Sequence, residues 1–260
     1  MENGRGSIGA CPLKENGQGN SSTPELLSTR RQFGPASAYA PSRLRKTRID
    51  SYSGKKGSNY SSAVISFLTD AEPGTVLGIL LAAGASTRLG HPKQLVTVDG
   101  EPLVARTARR LLTVADKVVV VTGAHHMEVL AALDGVPVRA IFNPRWQEGM
   151  SASIRQGVSG AALSAQSMLL MLVDQPHITG DDLTRLVTAW RQHPDRIAAA
   201  DYGGVVGVPA IFPGAFRDKL LGLHGDRGAQ PILMKATDIT RVEMPHAAFD
   251  LDTPADLGRI

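Results

Sequence analysis

Short apolar runs alternate with longer amphipathic stretches along the chain after residue 75. Each apolar run has the length of a strand and is continuous in hydrophobicity, which is typical of parallel strands buried on both faces. The predicted strands are 76–81, 118–122, 137–142, 168–173, 197–200 and 239–244, and the predicted helices are 102–115, 126–133, 150–163 and 180–192. The pattern therefore predicts a three-layer α/β fold, in which helices cover both faces of a mostly parallel sheet.

Turn and capping residues add detail to this pattern. Thr179 offers an N-cap for the helix at 180–192, and acidic residues follow it in the first turn. Further on, the pair Gly203-Gly204 precedes the apolar segment 207–213, which indicates a hairpin or an excursion from the regular alternation. We then expect two more helices before the strand at 239–244.

Residues 1–74 lack this periodicity. They contain 12 Ser, 9 Gly and 5 Pro, and 10 Lys/Arg against 6 Asp/Glu, whereas residues 75–260 hold 18 charges of each sign. Such a composition buries too little apolar surface to offset the entropy of ordering the chain. We predict a disordered basic tail at 1–74 and one domain at 75–260. A targeting peptide, a segment that binds an anionic surface and a later start of translation remain open alternatives for the tail.

Composition excludes several classes of protein. Cys11 is the only cysteine, so the chain has no intramolecular disulfide and no cysteine-based zinc site, which fits a reducing compartment. Aromatic residues make up 5%, too few for a base-stacking surface. Since no apolar run approaches the roughly 20 residues of a membrane span, we expect a cytoplasmic protein that binds neither nucleic acid nor membrane.

The first predicted strand runs into a loop whose residues suit phosphate binding. Gly84, Ser86 and Gly90 are small, so backbone N–H groups can approach a phosphate closely. Arg88 offers a planar fork for phosphate oxygens, and Lys93 adds a compact positive charge. The loop lies at the carboxyl end of a strand, where open α/β sheets bind ligands. It reads Leu81-Ala82-Ala83-Gly84-Ala85-Ser86-Thr87-Arg88-Leu89-Gly90-His91-Pro92-Lys93, which we interpret as a triphosphate-binding loop rather than an ordinary turn.

Carboxylates at two other positions suit a metal ion. Asp174 leaves the strand at 168–173 at the same edge of the sheet, where its oxygens are well placed for a hard cation. A helix cap or an ion pair is the alternative. Asp250 and Asp252 are two residues apart, so in an extended segment they share one face. Alternatively, Asp252 or the next residue caps a helix that begins at Pro254.

Hydroxyl and amide side chains follow the third predicted strand. Asn143 lies directly after it, and Ser151 and Ser153 open the helix at 150–163. A helix start rich in small hydroxyl residues can bind a base edge or a phosphate, although a simple N-cap serine is an equal alternative. Arg155 is either a further phosphate contact or a solvated charge. Because no third ligand stands at a suitable spacing, we do not expect His125, His126 and His177 to bind a metal.

Residues 81–93 resemble the L-A-A-G-x-S-x-R-x-G-x-x-K signature of the MobA-like nucleotidyltransferases, and in particular the molybdenum cofactor cytidylyltransferase (MocA) branch. The resemblance covers about residues 76–260 and implies a Rossmann-like nucleotidyltransferase fold. The other matching segments are Asn143-Pro-Arg-Trp146, Glu148-Gly-Met-Ser-Ala-Ser-Ile-Arg155, Leu172-Val-Asp-Gln-Pro176, Gly207-Val-Pro-Ala-Ile-Phe212, Gly225-Asp-Arg-Gly-Ala229 and Asp250-Leu-Asp-Thr-Pro254.

The resemblance implies roles for individual residues. Asp174 would hold the Mg²⁺ that bridges the triphosphate, with Asp252, directly before Thr-Pro, as the favoured second ligand and Asp250 as the alternative. Asp226 and Arg227 would lie near the phosphate of the acceptor, although an ordinary surface turn is an equal alternative. The nucleotide itself would bind at Leu81, Ala82, Ala83, Gly84, Ser86, Arg88, Lys93, Asn143, Ser151 and Ser153.

The expected reaction is Mg²⁺-dependent transfer of CMP from CTP to the phosphate of the molybdenum-pterin cofactor, with release of pyrophosphate. Arg88, Lys93 and Asp174 would stabilise the charge that moves to the leaving group. The Leu-Ala-Ala-Gly reading favours CTP, since the branch that uses GTP usually reads Leu-Ala-Gly-Gly. Two alternatives remain: another phosphorylated acceptor such as a sugar phosphate, or a maturation factor that delivers the cofactor to a molybdenum hydroxylase.

Overall fold

The apolar runs form the strands of one seven-stranded sheet. The computed structural model describes residues 75–160 and 165–260, so the predicted tail at 1–74 lies outside the described residues. The strands of the large sheet are β1 (Val76–Ala82), β4 (Lys117–Thr122), β5 (Arg139–Phe142), β6 (Ser167–Leu172), β7 (Ile197–Asp201), β8 (Val206–Pro213) and β9 (Ile239–Glu243). A separate antiparallel pair is formed by β2 (Thr97–Val98) and β3 (Glu101–Pro102).

The strand order in the large sheet is β5-β4-β1-β6-β8-β7-β9. Only β8, among the seven strands described, runs antiparallel to its neighbours β6 and β7. The parallel strands therefore end at one common edge, where β1 and β6 lie side by side. The two strands that precede the predicted triphosphate loop and Asp174 are thus direct neighbours.

Helices pack on both faces of this sheet. They are α1 (Leu103–Leu112), α2 (His126–Ala132), α3 (Met150–Ser159), α4 (Gly180–Gln192), α5 (Arg217–Leu221) and α6 (Gln230–Lys235). Residues of α1, α2 and α4 share one apolar core with one face of the sheet. Residues of α3, α5 and α6 share a second core with the other face. The predicted three-layer fold is confirmed.

Strand β1 shows why the sequence pattern was continuous rather than alternating. All seven of its residues are buried. Val76 and Leu80 belong to the first core, whereas Leu77 and Ile79 belong to the second. Because a strand points successive side chains to opposite faces, a sheet covered on both sides demands apolar residues at every position.

The irregular segment after β7 is the antiparallel strand that the hairpin signal indicated. Gly203 and Gly204 both have positive φ, which a glycine adopts without steric cost. The N–H of Gly204 donates to Oδ1 of Asp201 at 2.7 Å and closes the turn. The chain then returns as β8 between β6 and β7. In the described part of the chain, no helix is long and apolar enough to cross a membrane.

Helix α4 begins with the N-cap that the sequence predicted. The hydroxyl of Thr179 accepts from the N–H of Asp182 at 3.1 Å, and Oδ2 of Asp182 accepts from the N–H of Thr179 at 2.9 Å. Arg185 donates to Oδ1 of Asp182 at 2.6 Å. Although burial opposes the charge of Asp182, these bonds lower its pKa below the usual value.

Replacing Asp182 by Asn is expected to destabilise the fold by about 1–2 kcal/mol at pH 7, the usual cost of losing a cap. A lowered carboxyl pKa contributes stability above the pKa of the unfolded chain, and this contribution is lost as pH falls through the folded pKa. The difference between Asp182→Asn and wild type should therefore shrink below about pH 4. Urea unfolding at pH 7 and at lower pH measures it, and an equal difference at all pH values would contradict the account.

Candidate active site

A cavity of about 440 Å³ opens at the carboxyl ends of β1 and β6. The loop after β1 forms one wall, and the residues after β6 and β9 form another. The lining residues are Leu81, Ala83, Gly84, Arg88, Lys93, Gln94, Trp146, Gly149, Met150, Ser153, Leu172, Val173, Asp174, Asp250 and Asp252. Both sequence segments that carried the strongest signals, 81–93 and Asp174, therefore meet in one cavity.

The loop after β1 is a closed turn held by its own groups. Ser86 has a φ of 55°, and its carbonyl accepts from the N–H of Leu89 at 3.1 Å and of Gly90 at 3.2 Å. Its hydroxyl accepts from the N–H of Lys93 at 3.0 Å. Ser86 therefore fixes the backbone on both sides of Arg88 and brings Lys93 to the cavity.

Gln94 is a residue of this loop that sequence reasoning missed. Its side chain is 1% exposed and donates to the carbonyls of Ala82 at 2.9 Å and Gly84 at 2.8 Å. The hydroxyl of Ser86 donates to Oε1 of Gln94 at 3.4 Å. One buried amide thus ties the end of β1 to the loop that follows. Its position directly after Lys93 was the available signal, but a polar residue in a loop does not reveal its burial.

Replacing Gln94 by Leu should leave the buried carbonyl of Ala82 and the carbonyl of Gly84 without the amide that donates to them. Each buried group left without a partner costs about 1–3 kcal/mol, so we expect a loss of stability in this range. The loop should also lose its set position, with at least about tenfold weaker nucleotide binding. Isothermal titration with CTP measures the second effect. Thr179→Ala, which removes the remote cap of α4, is the control and should leave affinity unchanged; equal affinity in Gln94→Leu would contradict the account.

A cluster of opposite charges lies at the base of the cavity. The ammonium of Lys93 donates to Oδ2 of Asp174 and to Oδ1 of Asp252, both at 2.8 Å. Arg88 donates to the other oxygen of Asp252, also at 2.8 Å. The side chain of Lys93 is 13% exposed, whereas that of Arg88 is 72% exposed. Arg88 therefore stands at the mouth of the cavity and Lys93 at its base.

A backbone contact brings Asp252 to this cluster. The N–H of Leu251 donates to the carbonyl of Asp174 at 2.8 Å, and the Leu251 side chain is fully buried. Because neighbours in an extended segment point to opposite sides, burial of Leu251 turns Asp250 and Asp252 toward the cavity. Of the two predicted cap residues, Thr253 rather than Asp252 is the N-cap of the 3₁₀ helix that begins at Pro254. At the start of the 3₁₀ helix Pro254–Arg259, Asp256 accepts from the N–H of Thr253 at 2.8 Å.

Crowding of these charges changes their proton affinities. Burial opposes the charge of Lys93, but the carboxylates of Asp174 and Asp252 outweigh it and raise the pKa of Lys93 above its usual value. Burial likewise opposes the charge of Asp252, yet bonds from Lys93 and Arg88 lower its pKa. Desolvation, followed by the charges of Asp174 and Asp252, raises the pKa of Asp250 to about 6. The cations thus favour the ionised form of Asp252, whereas burial and neighbouring carboxylates disfavour that of Asp250.

The oxygen atoms of the cluster fit a divalent ion. Oδ1 of Asp174 is buried without a hydrogen-bond partner, and Asp174 and Asp252 each turn one oxygen to a single ammonium. No group of three or more His, Cys, Asp or Glu side chains is arranged for a metal in residues 75–160 and 165–260. Two carboxylates suit Mg²⁺, which proteins commonly hold through one or two carboxylates together with substrate phosphates.

The histidines lie in other surroundings. Nδ1 of His126 is 2.7 Å from the hydroxyl of Thr122. The ring of His177 packs against Phe249, with 4.6 Å between centroids. The contacts of these two side chains are thus a hydrogen bond and ring packing.

Of the three polar residues predicted to contact the nucleotide after β5, the structure places one in the cavity. Ser153 lines it. Asn143 is 2% exposed, donates to the hydroxyl of Ser153 at 3.1 Å and accepts from the N–H of Arg145 at 3.0 Å. Ser151 is fully buried, and its N–H donates to the carbonyl of Gly225 at 3.2 Å. Asn143 therefore positions Ser153 from behind, and a nucleotide contact of Ser151 stays a prediction.

Arg155 has neither of the two roles that the sequence left open. It donates to Oε2 of Glu148 at 2.9 Å and to the carbonyl of Leu223, and its side chain is 16% exposed. These bonds connect the start of α3 to the chain after α5. The residue therefore braces the wall of the cavity rather than reaching into it.

The turn that carries Asp226 and Arg227 lies beside the cavity. A β-carbon on Gly149 would collide with Oδ1 of Asp226, and Gly149 has a φ of 97°, which favours glycine. Asp226 thus packs on a residue that lines the cavity. The guanidinium of Arg227 is exposed, with Nη2 3.4 Å from Sδ of Met234. Sequence reasoning did not single out Trp146 and Met150, which complete the wall on this side.

A larger hollow of about 850 Å³ lies at the opposite edge of the sheet, beside the amino ends of β7 and β9. Arg196 and Asp238, which line it, are paired with each other at 2.9 Å. The convergence of two carboxylates on one ammonium, next to a glycine-containing loop, occurs in the smaller cavity. We therefore take the smaller cavity as the candidate active site.

Comparisons with known proteins agree with this geometry. Nicotine blue oxidoreductase from Paenarthrobacter nicotinovorans is 31% identical over 204 residues, which cover 74% of this chain and 98% of that protein. A probable molybdenum cofactor guanylyltransferase from Rhodopirellula baltica is 28% identical over 72% of this chain and 92% of its own length. The structure of Rv0371C from Mycobacterium tuberculosis in complex with manganese superposes with a TM-score of 0.60, at 25% identity, over 71% of this chain and 97% of that one.

The family match covers most of the described domain. Residues 78–240 match the MobA-like NTP transferase domain, and this range includes the loop after β1 and Asp174. The prediction made from the L-A-A-G-x-S-x-R-x-G-x-x-K segment is confirmed at the level of the family and of the enzyme class. The chain belongs to the MobA-like NTP transferase family and is a nucleotidyltransferase.

Proposed function

We propose that this enzyme transfers CMP from CTP to the phosphate of a molybdenum-bound pterin and releases pyrophosphate. The observation that carries the proposal is that Lys93, Asp174 and Asp252 meet at the base of a cavity. The loop after β1 forms one wall of this cavity. A cavity that offers both cations and paired carboxylates matches a triphosphate with a divalent ion. The product would pass to a molybdenum hydroxylase.

The residues of the chain supply positioning and charge. The exposed guanidinium of Arg88 can release Asp252 to bind phosphate oxygens at the mouth of the cavity. Lys93, held by Ser86 through its backbone, neutralises charge on the phosphates that become pyrophosphate. Gln94 keeps the loop in place while the acceptor phosphate attacks in line. Asp174 and Asp252 would hold a Mg²⁺ ion, which when bound acts as a Lewis acid on phosphoryl oxygen.

Relatives support the parts of this proposal to different degrees. The manganese complex of Rv0371C supports a divalent ion in this fold. The guanylyltransferase name of the Rhodopirellula relative supports the molybdenum cofactor as acceptor. CTP as donor is supported by the sequence Leu-Ala-Ala-Gly, in which Ala83, a residue that lines the cavity, stands where the branch that uses GTP usually has glycine.

The test is release of pyrophosphate with each of the four NTPs, with and without the molybdenum cofactor, in the presence of Mg²⁺. We expect release that depends on both CTP and the pterin. Release with GTP instead would overturn the choice of donor. Release with CTP and a sugar phosphate, but not with the pterin, would overturn the choice of acceptor. No release under any combination would leave a delivery factor as the better description.

A second candidate function comes from one relative. The Paenarthrobacter protein carries the name of an oxidoreductase, and 98% of its length aligns with this chain. The discriminating experiment adds nicotine blue and a reduced nicotinamide cofactor and follows the absorbance of both. This second function would be favoured over nucleotidyl transfer if the reduced cofactor were oxidised at the same rate as nicotine blue disappears. The reaction should also persist in Asp174→Asn.

A further inference from the structure

We infer that the ammonium of Lys93 competes with the divalent cation for the space between Asp174 and Asp252. Metal and ammonium then exclude each other until a triphosphate binds Lys93 and draws it out of this space. The inference rests on the proposed function of this site. It predicts that the metal binds weakly to the free enzyme and enters together with the nucleotide.

The contacts of Lys93 support this role. Its Nζ lies 2.8 Å from Oδ2 of Asp174 and 2.8 Å from Oδ1 of Asp252, so the ammonium occupies the space between the two carboxylates. The second buried oxygen of Asp174 has no partner. The ammonium therefore contacts only some of the carboxylate oxygens, and a divalent ion could contact more of them.

The way Lys93 is attached allows it to leave. Its backbone N–H is fixed by the hydroxyl of Ser86 at 3.0 Å, so the start of the side chain stays at the phosphate-binding loop. The four-carbon stem is flexible, and the ammonium is a compact charge that can exchange one anion for another. Phosphates on the loop would offer Nζ a new partner without any movement of the backbone.

The charges of the cluster favour exchange over joint occupancy. Arg88 and Lys93 oppose the carboxyl groups of Asp174, Asp250 and Asp252. A divalent ion that joined Lys93 between the same two oxygens would place like charges in contact, where they repel strongly. If Lys93 leaves, no cation remains in the space between Asp174 and Asp252, although Arg88 still contacts the outer oxygen of Asp252. By thermodynamic linkage, whatever removes the ammonium from this space tightens metal binding.

A variant of Arg88 can distinguish direct competition by Lys93 from a general effect of positive charge on metal binding. Both cations donate to Asp252 at 2.8 Å, but Arg88 is exposed and forms no hydrogen bond or ion pair with Asp174. Removing either side chain subtracts one positive charge from the cluster. Only removal of Lys93 also empties the space between the two carboxylates. Lys93→Gln and Arg88→Gln are therefore a matched pair.

The experiment measures Mn²⁺ binding to the free enzyme by electron paramagnetic resonance, without nucleotide or pterin. We expect Lys93→Gln to bind Mn²⁺ at least about tenfold more tightly than wild type and Arg88→Gln to stay within about threefold, because the ammonium competes directly and the guanidinium does not. An unchanged or weaker affinity in Lys93→Gln would overturn the inference. An equal gain in Arg88→Gln would also overturn it, since charge alone would then explain the effect.

Two additions keep the result interpretable. Circular dichroism melts with and without Mn²⁺ report folding, and tighter binding should appear as a larger rise of Tm in Lys93→Gln than in wild type. Lys93→Met replaces Lys93→Gln if the latter does not fold. Since no substrate is present, the outcome is independent of CTP and of the acceptor: a failed transfer assay with tightened Mn²⁺ binding would refute the proposed reaction and leave the inference standing.

Discussion

Asp174→Asn should lower the rate of nucleotidyl transfer by about a hundred- to a thousandfold or more, the usual cost of losing one group that stabilises transition-state charge. Asp174 follows the end of β6 and faces Lys93. Its Oδ1 is buried without a hydrogen-bond partner. The amide of Asn keeps the shape but removes the negative charge that a divalent ion and Lys93 both require. Pyrophosphate release at saturating CTP measures the loss.

A matched control separates this effect from damage to the sheet. Asp201 also stands at the carboxyl end of a strand, but it binds the N–H of Gly204 and the guanidinium of Arg241 rather than lining the cavity. Asp201→Asn should keep the activity of wild type within about threefold, since surface changes away from a site have small effects. Activity retained in Asp174→Asn, with both variants folded by circular dichroism, would remove Asp174 from the site.

Asp252→Asn should also lower the rate by about a hundredfold or more, whereas Asp250→Asn should lower it by less than about tenfold. Asp252 accepts from both Lys93 and Arg88, and these bonds lower its pKa. Asp250 shares the cavity but has its pKa raised to about 6 by desolvation and by its two carboxylate neighbours. Asp174 and Asp252 both contact the ammonium of Lys93, so we expect this pair of carboxylates, rather than Asp250, to share the ion.

The two variants answer the question that the sequence left open about the second metal ligand. Their rates, measured side by side over a range of Mg²⁺ concentrations, should show that Asp252→Asn needs far more metal and that Asp250→Asn does not. The reverse order would assign the ligand to Asp250. Equal losses of rate in both variants would mean that neither carboxylate alone is the second metal ligand.

The fold was predictable because burial on both faces leaves a strong mark on sequence. Strand β1 and helix α4 were found with boundaries within a residue, since an unbroken apolar run and the cap at Thr179 are local signals. The place of β8 between β6 and β7 was not predictable. It depends on pairing between segments far apart in the chain, and local periodicity does not encode which strand becomes a neighbour.

The site was predictable in its parts but not in its contacts. Gly84, Arg88, Lys93 and Asp174 could be placed at one edge of the sheet because loops after parallel strands meet there. That Lys93 would bridge two carboxylates depends on residues 81 and 159 positions away. Packing alone decides such contacts, and packing also buried Gln94, which no pattern distinguishes from a solvated loop residue.

The residues after β5 show the opposite case. Asn143, which follows β5, and Ser151, which opens α3, were predicted to face the nucleotide, and both are buried. Residue type at a helix start indicates which groups can bind, whereas the direction of the helix decides which of them do. Ser153 was predicted from the same helix start, and the structure places it in the lining of the cavity.

Crystals grown with Mn²⁺ and a non-hydrolysable CTP analogue would test the central claim most directly, through the anomalous signal of the metal. The account predicts a peak between Asp174 and Asp252, phosphates against the loop from Gly84 to Lys93, and the ammonium of Lys93 moved onto those phosphates. A triphosphate bound elsewhere, for example in the hollow lined by Arg196 and Asp238, or a metal that leaves Lys93 between the two carboxylates, would contradict it.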